Sequence, residues 1–105
     1  MQSFICALRD DFSSFGYSGC IVTISEENGI KVSHPFCSNL LTVSYESVIK
    51  IIQFKNKWID LKIEYYNGQK KKDIAHLRVT NKKAFISYAI QLGIEVETQE
   101  KFRRE

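Results

Sequence analysis

Residues 58–79 read WIDLKIEYYNGQKKKDIAHLRV, and the way this stretch doubles back decides the architecture of the chain. Its first half places Ile59, Leu61, Ile63 and Tyr65 on one side of an extended backbone and Trp58, Asp60, Lys62 and Glu64 on the other. Successive strand side chains point to opposite faces, so the apolar set faces a core and the polar set faces away. The second half repeats the pattern, with Ala75, Leu77 and Val79 inward and His76 and Arg78 outward. A two-residue turn at Asn67-Gly68 would pair Leu61 with Ile74 and Ile59 with His76. Lys70, Lys72, His76 and Arg78 would then lie alongside the core residues. That register is excluded by the cost of burying charge, because a slip of one residue reverses every side chain. A three-residue loop, Tyr66-Asn67-Gly68 with Gly68 left-handed, or a bulge within the lysine run, restores the inward face. Either way the lysines stand exposed at a hairpin end.

The same two-residue rhythm extends upstream. CIVTIS (20–25), EENG (26–29) and IKVSH (30–34) predict strand, turn and strand, with Asn28-Gly29 suited to positive φ. Pro35 interrupts, having no amide hydrogen for a ladder. LLTVSY (40–45) and VIKIIQF (48–54) follow as two further strands, separated by Glu46-Ser47. Near the start, Phe4, Leu8, Phe12 and Phe15 recur at spacings of three and four, which predicts a short amphipathic helix; a strand over the compact run FICAL (4–8) is the competing reading. After Thr80-Asn81, either of which can cap a helix, KKAFISYAIQLG carries Phe85, Ile86, Ala89, Ile90 and Leu92 on one stripe and stops at Gly93. IEVETQEKFRRE reads as a short extension and a charged, frayed tail. No internal repeat is present.

The expected fold is therefore α+β but mainly β: a bent antiparallel sheet or partly open barrel of about six or seven strands in meander connections, capped by a C-terminal helix. One domain is expected over the 105 residues, with an N-terminal segment (1–15), a core (16–93) and a charged tail (94–105).

That order resembles the bacterial pleckstrin-homology-like domains, the PH/GRAM-like group. GCIVTISEENGIKVS leading to LTVSYESVIKIIQF, WIDLKIEYYNG and VTNKKAFISYAIQL carries the likeness, over residues 16–93. The resemblance implies a bent sheet of about seven strands closed by a helix, and a binding or scaffolding role. The lipid-binding subset places basic residues in the first hairpin turn. Here that turn is Glu26-Glu27-Asn28-Gly29, so phosphoinositide recognition is not implied.

Composition bounds the function further. The chain is 44% hydrophobic and 26% charged, which is ordinary for a folded domain. No apolar run approaches the ~18 residues of a membrane-spanning helix. Arg9-Asp10-Asp11 interrupts the N-terminal apolar stretch, so a secretory leader is not predicted and a cytoplasmic setting is expected. Net charge is +3, yet ten Lys/Arg stand against three acids between Lys50 and Lys83, while five bases and nine acids make up the rest. A half carrying +7 beside one carrying −4 can steer an anionic partner.

No Walker loop, GxGxxG, HExxH, GxSxG or EF-hand loop occurs, and neither enzymatic activity nor a cofactor is expected. Cys6, Cys20 and Cys37 form an odd set without a CxxC pair, and buried reduced thiols are the reading. His34 and Cys37 could offer two metal ligands or a nucleophile and base, but two ligands do not make a site; a loop histidine and a packed thiol are expected. His76 is expected as a solvated histidine able to join a basic surface. Asp60 and Glu64 are expected in cross-strand ion pairs worth well under ~1 kcal/mol each.

The candidate binding residues are Lys55, Lys57, Trp58, Lys62, Lys70, Lys71, Lys72 and Arg78, an indole flanked by cations. Covering of Trp58 by an N-terminal helix bearing Phe4, Leu8 and Phe12 competes with its exposure. Two partners follow. The first is a protein with an acidic surface, met through an exposed sheet edge or the basic hairpin end. The alternative is nucleic acid, bound by stacking on Trp58 and by the lysines between Lys50 and Lys83.

Overall fold

The computed structural model describes residues 2–9, 16–36, 38–55 and 60–100. They form eight strands and one α-helix: β1 (Gln2–Arg9), β2 (Gly16–Ser25), β3 (Gly29–His34), β4 (Ser38–Val43), β5 (Val48–Phe54), β6 (Asp60–Tyr66), β7 (Lys72–Val79), α1 (Lys82–Gln91) and β8 (Val96–Gln99). The strands make one open sheet in the order β4-β3-β2-β1-β7-β6-β5-β8. Every pairing is antiparallel except β5 with β8. The mainly β architecture with a C-terminal helix agrees with the sequence-based expectation. The count of strands and two of their identities do not.

The first difference is at residues 2–9, a strand and not a helix; Phe12 and Phe15 of the expected helix lie outside the described residues. Phe4, Cys6 and Leu8 turn into the core from β1, and Phe4 meets Phe85 of α1 edge to face at 5.4 Å between ring centroids. The second is the tail, where Val96–Gln99 pairs with β5 in parallel, a geometry reached only through the crossover that α1 provides.

The inward faces are those the alternation requires. Leu61, Ile63, Tyr65, Ala75, Leu77 and Val79 are buried in one core with Val22, Ile24, Ile30, Val32 and Ile51. Ile59 lies outside the described residues. Eight strands laid flat would span roughly 34 Å and stack to only ~20 Å with a helix on one side, whereas the molecule measures 32 × 31 × 29 Å. The sheet must therefore curl around its own apolar side. Register shifts in β1 (Cys6 to Leu8), between Val32 and Ser33, and between Val48 and Lys50 supply local bends of the kind that favour such curvature.

α1 closes the apolar side with Phe85, Ile86 and Ala89; Ile90 of the predicted stripe is exposed instead. The helix ends as a Schellman motif. Gly93 is left-handed at φ +85, its N–H donates to Ile90 O at 3.0 Å, and Ile94 N–H donates to Ala89 O at 3.0 Å. Tyr45, in a 3-10 turn (Tyr45–Ser47) between β4 and β5, donates its hydroxyl to the Leu92 carbonyl and ties that corner to the helix end.

Candidate binding site

The lysine hairpin is built on Asn67. Tyr66 pairs with Lys72 as the last rung, leaving a five-residue loop rather than the expected three. Asn67 O accepts from Lys70 N–H and Asn67 N–H donates to Lys71 O, both at 2.8 Å. The Asn67 side-chain oxygen also accepts from Gln69 N–H at 2.8 Å and Lys71 N–H at 3.2 Å. This loop keeps Leu61 opposite Leu77 and Ile63 opposite Ala75, the parity that excluded a two-residue turn. The left-handed residue is Lys70, at φ +60, and not Gly68.

The predicted basic surface is divided by its acids. Lys72 Nζ lies 3.6 Å from Glu64 Oε1, and Lys55 Nζ lies 3.0 Å from Glu100 Oε1. Lys50 Nζ reaches Glu97 Oε1 at 3.3 Å, and Gln99 and Lys50 together hold that carboxyl below the usual carboxylate range. Two of these acids come from β8 and the residue after it, so the tail partly neutralises the basic half. Exposed pairs of this kind add little stability. Lys70 and Lys71 are exposed and form no ion pair among the described residues. Lys62 is half-buried. Lys57 and Trp58 lie outside the described residues. An N-terminal helix covering Trp58 is overturned, because Phe4 and Leu8 are spent on the core.

Arg78 belongs to a different arrangement, a cross-strand ion pair with Asp60 of the kind expected, but one whose carboxylate is buried and shared with His76. On the sheet face opposite the core, His76 is buried and its Nε2 stands 2.8 Å from Asp60 Oδ1. His76 is thus not the solvated histidine expected. Arg78 Nε lies 3.5 Å from the same oxygen, and Lys82 feels both its own burial, which lowers its pKa, and the opposing pull of Asp60. Ile52 and Phe54 are buried on the same face. One buried carboxylate therefore gathers His76 and Arg78 and staples β6 to β7. Cations engaged with Asp60 are poorly placed to serve phosphates.

Cys6 and Cys20 face one another across β1 and β2, buried and not joined in a disulfide, and burial together with Cys20 pushes the Cys6 thiol up to about 12. A thiol so protonated is a poor nucleophile at neutral pH. His34 Nδ1 accepts from Phe36 N–H at 3.1 Å, as a turn-forming residue would, and Cys37 lies outside the described residues. Among the described residues no cluster of three metal-ligating side chains occurs.

A groove of about 670 Å³ runs between the first half of β1 and α1, lined by Gln2, Ser3, Phe4, Ile5 and, on the helix side, Asn81, Ala84, Ser87, Tyr88 and Gln91. Reading residues 4–8 as helix hides this groove. The signal that reveals it is the alternation of Phe4, Cys6 and Leu8, which fits a strand. Comparison with protein-family models, with curated proteins and with solved structures returns no match for this chain.

Proposed function

We propose that this chain is a non-enzymatic binding module of pleckstrin-homology-like type that acts through a protein partner. The observation that carries the reading is an uncovered stretch of strand edge, residues 2–4, standing beside a helix to form an open groove. The order of seven strands followed by a closing helix supports the family likeness. Buried Cys6 and Cys20, facing one another without a disulfide, support a reducing, cytoplasmic setting. No helix among the described residues is long and apolar enough to cross a membrane.

Purified protein exposed to native-host extract should retain one partner in near-stoichiometric amount, and should bind mixed-sequence DNA and RNA negligibly at low salt. Exposed Lys70 and Lys71 favour nucleic acid as the second reading. Micromolar oligonucleotide binding that falls steeply with salt, and weakens when Lys70, Lys71 and Lys72 become Gln, would replace the first reading with the second.

A further inference from the structure

β1 pairs with β2 from Gln2 onward but with β7 only from Cys6, because β7 stops at Val79 and the chain turns into α1. The Thr80 N–H donates to the Ile5 carbonyl at 3.1 Å, which is the end of the ladder on that side among the described residues. Along a strand, the N–H and C=O groups of alternate residues point the same way. Ser3 therefore directs both of its backbone groups to the side on which Ile5 O is bonded, into the groove, and β7 does not reach them.

The opposite wall is one stripe of α1. Asn81, Ala84, Tyr88 and Gln91 are spaced by three and four, so they share a helix face. Ten helical residues extend for about 15 Å, the length of some four or five residues of extended chain. None of the side chains lining the groove is charged at neutral pH. A charged side chain placed there would lose water without gaining a counter-ion. Beside the open edge, on the sheet's outer face, Ile5 is 66% exposed and its cross-strand neighbour Ile21 is 42% exposed. An apolar pair thus borders unpaired backbone.

We infer that the groove takes an extended, uncharged segment of the partner protein, added to β1 as a strand that continues the line of β7 and lays an aliphatic side chain over Ile5. Strand addition of this kind draws affinity from main-chain bonds and specificity from alternate side chains. A helical ligand has no free backbone groups to offer Ser3. The inference rests on the binding-module reading and names the site and the chemistry of its ligand.

The test displays random peptides about eight residues long, blocked at both ends, against the whole chain. Selected peptides should lack charge, alternate aliphatic with small residues, and bind with micromolar Kd. They should shift the amide resonances of Ser3 and Ile5. N-methylation of alternate peptide amides should weaken binding by about tenfold or more. Ser3→Pro should do the same while leaving the pairing with β2 intact, since the lost N–H points away from β2. Should Ser3→Pro misfold, Ala84→Trp fills the groove from the helix side and gives the same readout. Selection of acidic peptides, no selection at all, equal binding to Ser3→Pro and Ala84→Trp, shifts confined to β4, or a dimer that protects Ser3 would each overturn the groove assignment. Peptides that are lost on Lys70→Gln with Lys71→Gln but retained by Ser3→Pro would sink the groove and leave the binding module standing. Failure to retain any partner from extract, alongside no selected peptide, would remove both.

Discussion

The β2–β3 hairpin turns through Glu26, Glu27 and Asn28 onto Gly29, and the β6–β7 hairpin turns through Gly68 and Gln69 onto Lys70. Each relies on one left-handed residue, at φ +69 and φ +60, yet only the first gives that place to glycine. The reason lies in what stands behind each turn. A Cβ built on Gly29 would come within 2.0 Å of Val43 O and 2.6 Å of Tyr45 N, so the chain of β4 and its exit requires glycine for space as well as for φ. Lys70 is exposed and meets only the intrinsic penalty of a side chain in that region, of order 1 kcal/mol. Asn67 compensates by accepting two backbone N–H groups with its side chain. A turn packed against its own protein is thus fixed by sterics, while a turn facing water can keep a lysine at some expense in stability.

The contrast breaks most readily at its strongest point. Gly29→Ala should destabilise the fold by about 3 kcal/mol or more, since the clash is with backbone that cannot swing aside. For a domain with about 5–15 kcal/mol in hand, this appears as a large drop in the urea midpoint; a loss under ~1 kcal/mol would show that the β4 exit yields. Asn67→Ala should cost about 1–2 kcal/mol through two stranded N–H groups, partly rescued by solvent. Hydrogen exchange at Gln69 and Lys71 should quicken in the same variant. Lys70→Gly should stabilise by about 0.5–1 kcal/mol in thermal unfolding, the sign opposite to every ordinary glycine substitution. No gain would mean that Lys70 contributes contacts worth its conformation. Smallest of all, Gly68→Ala should change stability by less than ~0.5 kcal/mol, because a Cβ there meets nothing within 4 Å. A substantial loss at Gly68 would end the claim that the exposed turn has no need of its glycine.

Much of this was legible in the residues. Alternation in 60–65 and 73–79 assigns faces correctly, and the clash of parities alone excludes the short turn. It did not assign the left-handed residue, because a glycine two positions away looks like the natural occupant. Phe4 and Leu8 misled, because a separation of four is close to one helical turn and also two strand repeats. Cys6 between them, buried in the core, was the arbiter. His76 was assigned the right face and the wrong environment. Alternation reports direction, not cover, and the burial of Asp60, Ile52 and Phe54 on the outer face has no periodic signature. β8 was illegible for a related reason, since a four-residue parallel strand is defined by its partner β5 far along the chain. Of the candidate binding residues, Lys70 and Lys71 stand exposed as read, whereas Arg78 is drawn into the Asp60 staple.

The place of β1 between β2 and β7 has a consequence for how the molecule is made. During synthesis β1 finds its hairpin partner β2 at once, but its other flank waits until β7, more than sixty residues further on, has emerged. Until Cys6 and Leu8 meet Val79 and Leu77, β1 to β4 form only a half-sheet with an unsatisfied inner border. Such distant closure slows folding and prolongs the interval in which nascent chains can stick to one another. Assembly of this sheet should therefore be governed by when β7 becomes available.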